Sequence, residues 1–242
     1  MMPMTSETNV ATGANAPRLF PVLLTAATRW EAKPLAKGLG LARADGARWE
    51  GNVGGRRVTL LKTGVGAVKT AAALERDFPT EDYGLAISAG LCGAMQEGLR
   101  VGDIVADGHG IETALFAPLR ETAAALGLRC HFGRILHTNV VLKPAAKRSL
   151  GEQHRALACD METAALRRWA AAKLPVVGAR VVLDEVGEEL AADAPEGEDA
   201  ASLARFALSH PARMPELIRT GLRCGRAMRG LTRYLKAYLE AI

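Results

Sequence analysis

Residues Val176 to Leu183 form a run of strand length, apolar but for Arg180, that stops on Asp184-Glu185. The segment before it, Cys159-Asp160-Met161-Glu162-Thr163-Ala164-Ala165, passes from a strand-like stretch into a helix expected over Met161 to Lys173. Strand, short turn, helix and second strand is the signature of a parallel sheet buried on both faces. That pattern places two carboxylates at one rim, because Glu162 opens the helix and Asp184 sits where the next strand runs out. Ligands of open α/β sheets collect at the carboxyl ends of strands. A carboxylate pair there can divide acid and binding duties, since small differences in burial push two pKa values apart. The pattern points to an enzyme.

Upstream segments add to that rim. Val22 to Ala26 reads as a short apolar strand and Trp30 to Leu39 as a helix with Glu31 in its first turn, a third acid at a strand-to-helix junction. Leu85 to Ala94 reads as a buried strand running into a glycine turn, followed by an exposed Gln96-Glu97-Gly98 and a next strand over Val101 to Val105. After the strand Val58 to Leu61, Thr63-Gly64-Val65-Gly66 has the outline of a dinucleotide turn but lacks the third glycine and an acidic strand end at the right distance. It reads as a strand-to-helix turn that touches phosphate or ribose. Taken singly, a Glu at a helix start usually complements the helix dipole and an Asp at a strand end usually makes a turn.

Together these segments resemble the nucleoside phosphorylase and nucleosidase superfamily, above all its methylthioadenosine/adenosylhomocysteine nucleosidases. The resemblance runs in order from Val22 to about Val186 and rests on Glu31, the Thr63 to Gly66 turn, Ala89 to Val105, and Asp160 to Asp184. It implies an α/β fold, a three-layer αβα sandwich around a mixed, partly curled sheet, and cleavage of the N-glycosidic bond of a purine nucleoside. It also implies roles: Glu31 activates the attacking water, Glu162 accepts the ribose hydroxyls, Met161 floors the sugar, and Asp184 is the acid at the base. Gly90, Leu91, Cys92, Val141 and Asp160 are the further substrate-binding positions. Their joint occurrence in family order outweighs the structural reading of each acid alone. The resemblance further implies a small-molecule nucleoside partner, a homo-oligomer (a dimer), and no metal or redox cofactor.

The residue types suit the reaction. The leaving purine needs a proton while the sugar gains oxocarbenium character, so a carboxylic acid near N7 and carboxylates around the ribose serve the two needs. Where the phosphorylase branch holds arginines and a serine for phosphate, this chain has Glu31, Ser88 and Leu91. A carboxylate there repels phosphate and favours water. Two departures stand out: Val141 falls where the nucleosidases carry an adenine-stacking aromatic, and Leu183 precedes Asp184 where a serine is usual. They keep two alternatives open, a phosphate-dependent phosphorylase and a catalytically weak nucleoside-binding protein.

A chain of 242 residues, 49% hydrophobic, can bury one large core. The expected organisation is a disordered tail over 1–17, a catalytic domain over 18–212 and a basic amphipathic helix over 213–242. Residues 1–17 lack the features of a secretory signal, no run reaches the roughly 18 apolar residues of a spanning helix, and four cysteines without metal spacing suit a cytoplasmic protein. The five histidines are scattered and only His137 lies on a segment able to face the pocket. Residues 184–199 carry eight acids and no Lys or Arg, which reads as a mobile loop beside the pocket. From Arg213 to Ile242 there are seven Lys/Arg and two acids, equal to the whole net charge of +5. Met228, Leu231, Leu235, Tyr238, Leu239 and Ile242 recur there at helical spacing, so the helix either packs its apolar stripe on the domain or lies on an anionic membrane. No aromatic platform accompanies the charge, which argues against nucleic acid. The arginine-rich end with the Asp160-Met161-Glu162 core is similar to the hopanoid-associated phosphorylase-like branch, which implies an adenosylhopane substrate held in a bilayer.

Overall fold

The computed structural model describes residues 19–108, 110–189, 209, 212 and 214–242. The expected tail over 1–17, most of the acidic loop, His109, His210 and Arg213 lie outside the described residues.

Strand β1 (Val22–Ala26) is buried along its whole length and packs both ways: Val22, Leu24 and Ala26 enter one apolar cluster and Leu23 the other. That two-residue alternation between two dry faces is why the run reads as continuously hydrophobic. β1 lies parallel between β4 (Arg56–Lys62) and β5 (Leu85–Ala94), and β5 lies parallel to β10 (Val176–Asp184). The carboxyl ends of these four strands share one edge. Outside them, β2 (Ala42–Arg43) and β3 (Arg48–Val53) add antiparallel on the β4 side, while β6 (Ile104–Asp107) pairs antiparallel with β10 and parallel with β7 (Cys130–Phe132). β8 (Arg134–His137) and β9 (Ala156–Asp160) form a branch.

The branch makes the crevice. β5 pairs with β1 as far as Ser88 and takes up β9 only at Gly93 and Ala94, so the sheet parts alongside Ala89 to Cys92. The sequence suggests a glycine turn here, but β5 continues through Gly90 to Ala94 because its other edge stays paired with β10 throughout. The following strand starts at Ile104 rather than Val101, after a turn in which Arg100 N donates to Asp103.

Helices α1 (Arg29–Leu39), α3 (Thr113–Ala125) and α6 (Met214–Ala241) cover one face, and α2 (Ala67–Asp77) and α5 (Thr163–Ala170) the other; α4 (Pro144–His154) lies against β9. α5 is shorter than Met161 to Lys173 because Ala171 and Ala172 turn left-handed. The apolar stripe of α6 is core: Met228, Leu231, Tyr234, Leu235, Tyr238 and Leu239 have no exposed surface. Its two tyrosine hydroxyls donate to the Leu119 and Leu115 carbonyls of α3, each over 3.0 Å. The buried guanidinium of Arg56 donates to the terminal Leu239 and Ile242 carbonyls, where the negative end of the helix dipole favours a cation.

Candidate functional site

Glu31 reaches the crevice through its own helix start. Thr28 caps α1, with its N–H and hydroxyl donating to Glu31 Oε2 over 2.8 and 2.9 Å, and Glu31 N returns a bond to the Thr28 hydroxyl. This capping box turns the carboxylate back toward the sheet, where its Oε1 accepts Leu91 N–H at 2.8 Å. The bond satisfies one of the donors that β5 presents where it has left β1. Nothing larger than glycine fits beside it, because a Cβ on Gly90 would lie 2.3 Å from Glu31 Oε1 and 2.7 Å from Arg180 Nη1.

Glu162 sits at the N-cap of α5, not within its first turn, and its Oε1 accepts Gly66 N–H at 2.8 Å. The Thr63 to Gly66 turn is thereby tied to the proposed ribose acid, with Val65 lining the cavity. Burial raises the pKa of Glu162 above the ordinary glutamate range, against the pull of Arg180 and Gly66.

Arg180 is the one charge in the apolar run Val176 to Leu183. Fully buried on β10, its guanidinium lies 2.8 Å from Asp160, 3.4 Å from Glu162 and 4.0 Å from Glu31, and it donates to Ser88 Oγ at 2.5 Å. Burial works against its charge, but Asp160, Glu162 and Glu31 together hold its pKa above the ordinary arginine value. Its Nε has no hydrogen-bond partner among the described residues. Asp160 also accepts from Thr163 N–H and the Thr163 hydroxyl, so its carboxylate is committed to fixing the β9–α5 turn.

Asp184 ends β10 at 3% exposure, and burial raises its pKa above the usual aspartate value. The sequence offered it only an apolar setting, but the structure adds a partner. Lys147 of α4, 1% exposed, donates from Nζ to Asp184 Oδ2 and to the carbonyls of Glu185 at 3.0 Å and Glu188 at 2.8 Å. Lys147 lies 37 residues from Asp184, and no local pattern ties the two.

Glu31, Asp160, Glu162 and Asp184 all line one cavity of about 310 Å³, with Leu91, Cys92, Cys159 and Met161 among its walls and Val65, Val140 and Val141 at its exposed mouth. That volume lies at the lower end of ligand pockets, which run from about 300 to 1,000 Å³. Burial pushes the Cys159 thiol up to about 11 and Cys92 well above the ordinary range, so both are neutral walls. Neither Gly90 nor His137 is among the residues lining the cavity; His137 lies beside Asp160 in register and pairs with Asn139 at 3.1 Å. A larger concavity of about 730 Å³ lies between β6, α3 and β7, but its Asp107 is paired with Arg167 at 2.9 Å and with Ile135 N–H. Among the described residues of its lining, Asp107 is the one carboxylate, and it is committed in this way. Among the described residues no cluster of His, Cys, Asp and Glu has metal-binding form, and no helix is long and apolar enough to cross a membrane.

A sequence model of the phosphorylase superfamily matches residues 21–109, the part holding β1 to β6. No curated protein matches the chain. Solved structures match over nearly the whole length. The 5′-methylthioadenosine/S-adenosylhomocysteine nucleosidase of Campylobacter jejuni aligns with a TM-score of 0.70 at 16% identity, over 92% of this chain and 100% of its own. The corresponding nucleosidase of S. pneumoniae, solved with a transition-state inhibitor, aligns at 0.66 and 20% identity over 91% and 99%. Futalosine hydrolase of Helicobacter pylori aligns at 0.68 and 14% identity over 93% and 99%. This chain therefore has the three-layer α/β fold of those nucleosidases.

Proposed function

We propose that the protein hydrolyses the N-glycosidic bond of a purine nucleoside. The observation that carries the reading is one cavity lined by Glu31, Glu162 and Asp184, with Arg180 in ion-pair range of the first two and Lys147 on the third. Glu31 deprotonates a water for attack at C1′. Glu162 accepts the ribose hydroxyls and, as an anion, favours positive charge developing on the sugar. Asp184 stands at the base, where a carboxyl kept above its usual pKa delivers a proton to N7. Met161 and Leu91 supply apolar contact to the sugar. The likeness to nucleosidases of the same fold supports the class of reaction.

Water suits this site better than phosphate. Arg180 is the cation nearest Glu31, and its Nη atoms are already held by Asp160, Ser88, Glu162 and the Leu91 carbonyl. A phosphate dianion would meet carboxylates, with no arginine among the described residues that line the cavity to offset them. Wild-type protein in phosphate-free buffer should release free base and free sugar from methylthioadenosine, with Asp184→Asn slower by about 100-fold or more. Strict dependence on phosphate would assign a phosphorylase instead, and tight binding without turnover a nucleoside-binding protein.

A finer reading of the substrate, a nucleoside with an apolar 5′ group such as adenosylhopane or methylthioadenosine, draws support from the mouth. Val65, Val140 and Val141 are 46%, 62% and 55% exposed there. Trp30 is exposed in the first turn of α1, next to the cavity residues Thr28 and Glu31, and Ile218 and Leu222 are exposed on the first turns of α6, whose Arg223 pairs with Glu188. Arg219, Arg226, Arg229, Arg233 and Lys236 are exposed along α6. An outward face of cations ending in apolar side chains suits a peripheral contact with an anionic lipid surface.

A further inference from the structure

We infer that Lys147 belongs to the acid of this site: the proton that leaves with the base is carried by a Lys147–Asp184 pair rather than by a lone carboxyl. The inference rests on the nucleosidase reading above and names a residue that reading does not need. Its ground is the accounting of one ammonium. Lys147 has three N–H donors and three acceptors, Asp184 Oδ2 and the Glu185 and Glu188 carbonyls. At 1% exposure it meets water only through the cavity it lines, and a bound nucleoside closes that route. Backbone carbonyls accept hydrogen bonds but are too weakly basic to take the proton. Asp184 is thus the one group among its partners to which Lys147 can give it.

A carboxyl has two oxygens, and Lys147 engages one of them, leaving the acid able to face the base while it stays in contact with its own proton source. As the glycosidic bond breaks, its electron pair moves onto the purine and N7 becomes basic. Asp184 gives N7 a proton and takes one from Lys147, whose ammonium becomes a neutral amine. The base leaves neutral, water forms the new bond to C1′ and passes its proton to Glu31. Once the products have left, water entering the cavity that both residues line removes that proton from Glu31 and restores the one on Lys147, so charge and atoms balance over a turnover.

The surroundings fit a buried, internally balanced pair. Glu185 and Glu188 face Lys147 from the turn after β10, and Glu188 is in turn held by Arg223 of α6 at 2.9 Å. From β9 come Cys159 and Asp160, and from β5 Cys92, with both thiols neutral. Asp160 is engaged with Arg180 at 2.8 Å. On α4 itself the neighbouring Arg148 points to Glu97 at 3.2 Å. Lys147 is therefore the cation within hydrogen-bond reach of Asp184, in place of the neutral hydroxyl that Leu183 cannot provide.

Two variants separate a proton source from a positive charge that only holds Asp184 in place. Lys147→Arg keeps the charge and donors, but guanidinium does not give up a proton at accessible pH. Lys147→Met removes both. Each is checked by thermal melting and by calorimetric binding of adenine, then assayed with methylthioadenosine for kcat and kcat/KM from pH 5 to pH 10. The expected result for Lys147→Arg is a folded, adenine-binding protein with kcat lower by about 100-fold or more across the range. For Lys147→Met the lowering pull of the ammonium on Asp184 is gone, so Asp184 keeps its proton to higher pH but has no source to reload from: kcat falls and the alkaline limb of kcat/KM moves toward alkali relative to wild type. Wild-type kcat and an unchanged pH profile in Lys147→Arg would overturn the inference and leave the hydrolase reading standing. If Lys147→Met does not fold, the arginine variant decides alone. A wild-type protein that releases no base under any condition would overturn the hydrolase reading and this inference together.

Discussion

Arg180→Leu tests the arrangement on which the site depends. The substitution removes a cation that is 1% exposed and in ion-pair range of Asp160, Glu162 and Glu31. Breaking a buried pair from one side typically costs about 3–5 kcal/mol, because the remaining charge is left without compensation. For a domain of this size each kcal/mol moves the melting temperature by roughly 2–4 °C, so the loss should be about 6–20 °C near pH 8. The three carboxylates do not share that loss equally. Glu31 keeps bonds from Leu91 and Thr28, and Asp160 keeps those from Thr163, whereas Glu162 keeps only Gly66 N–H. Burial already raises the pKa of Glu162 above its ordinary 4.5, and loss of Arg180 raises it further. A carboxyl with a folded pKa above its unfolded value binds protons preferentially in the folded state. Its stabilising protonation is present below the unfolded pKa and is lost as pH rises through the folded one. The deficit of Arg180→Leu should therefore be largest at neutral and alkaline pH and shrink as pH falls toward 4.5. Paired thermal melts of variant and wild type at several pH values between 4.5 and 8 read both numbers. A variant within about 2 °C of wild type at pH 8, or a deficit that ignores pH, would refute the reasoning.

Gly90→Ala should abolish turnover while leaving a folded chain, since its Cβ would occupy space 2.3 Å from Glu31 Oε1 and must displace that carboxylate or Arg180; full activity by base release would show that Glu31 is not held where it matters. Replacing Arg226, Arg229 and Arg233 together by glutamine should weaken binding to phosphatidylserine vesicles by about 100-fold at low salt, from roughly 1 kcal/mol per cation, without touching the buried stripe of α6. Flotation of wild-type protein measures it, and wild type that stays unbound at low salt removes the lipid contact.

Much of the fold is legible in the sequence because burial on both sheet faces writes itself as continuous apolar runs. Val22 to Ala26 is a strand over the bounds the pattern sets, the run Val176 to Leu183 is a strand extended by Asp184, and Glu31 and Asp184 stand at the junctions that chain pattern assigns them. The stripe of Met228, Leu231, Leu235, Tyr238 and Leu239 is equally readable, since a 3.6-residue period survives whatever covers it. Its burial also means that deleting α6 would strip the main core, so the charge of that helix is better probed by substitution. The missed features are those where local pattern and pairing disagree. Gly90 looks like a turn, yet a strand bonded to β10 along its length needs a glycine for the close approach of Glu31 and Arg180, not for a change of direction.

The two buried cations at the site, Arg180 and Lys147, are the part that no window of sequence reveals. Arg180 interrupts an apolar strand, and the pattern alone marks it as a defect in β10. Its partners come from β9, the α5 cap and α1, three segments that only the fold brings together. Lys147 sits on a helix whose other charged residues are exposed or half-buried, and nothing in its spacing separates it from them. A signal did exist, though it was negative. Leu183 removes the hydroxyl that a catalytic aspartate here would use, and a buried carboxylate without a partner is costly enough that some donor must arrive from elsewhere. Only a side chain with a long apolar stem can cross from α4 to the end of β10, which leaves lysine or arginine, and the ammonium alone among these can both hold an acid and reload it. On the proposed reading Asp184 carries a proton, so three carboxylates, Glu31, Asp160 and Glu162, stand against Lys147 on the cavity wall and Arg180 behind it, each cation committed to acids. The cavity retains the excess of negative charge that an oxocarbenium-like sugar requires and that a phosphate dianion would meet as repulsion.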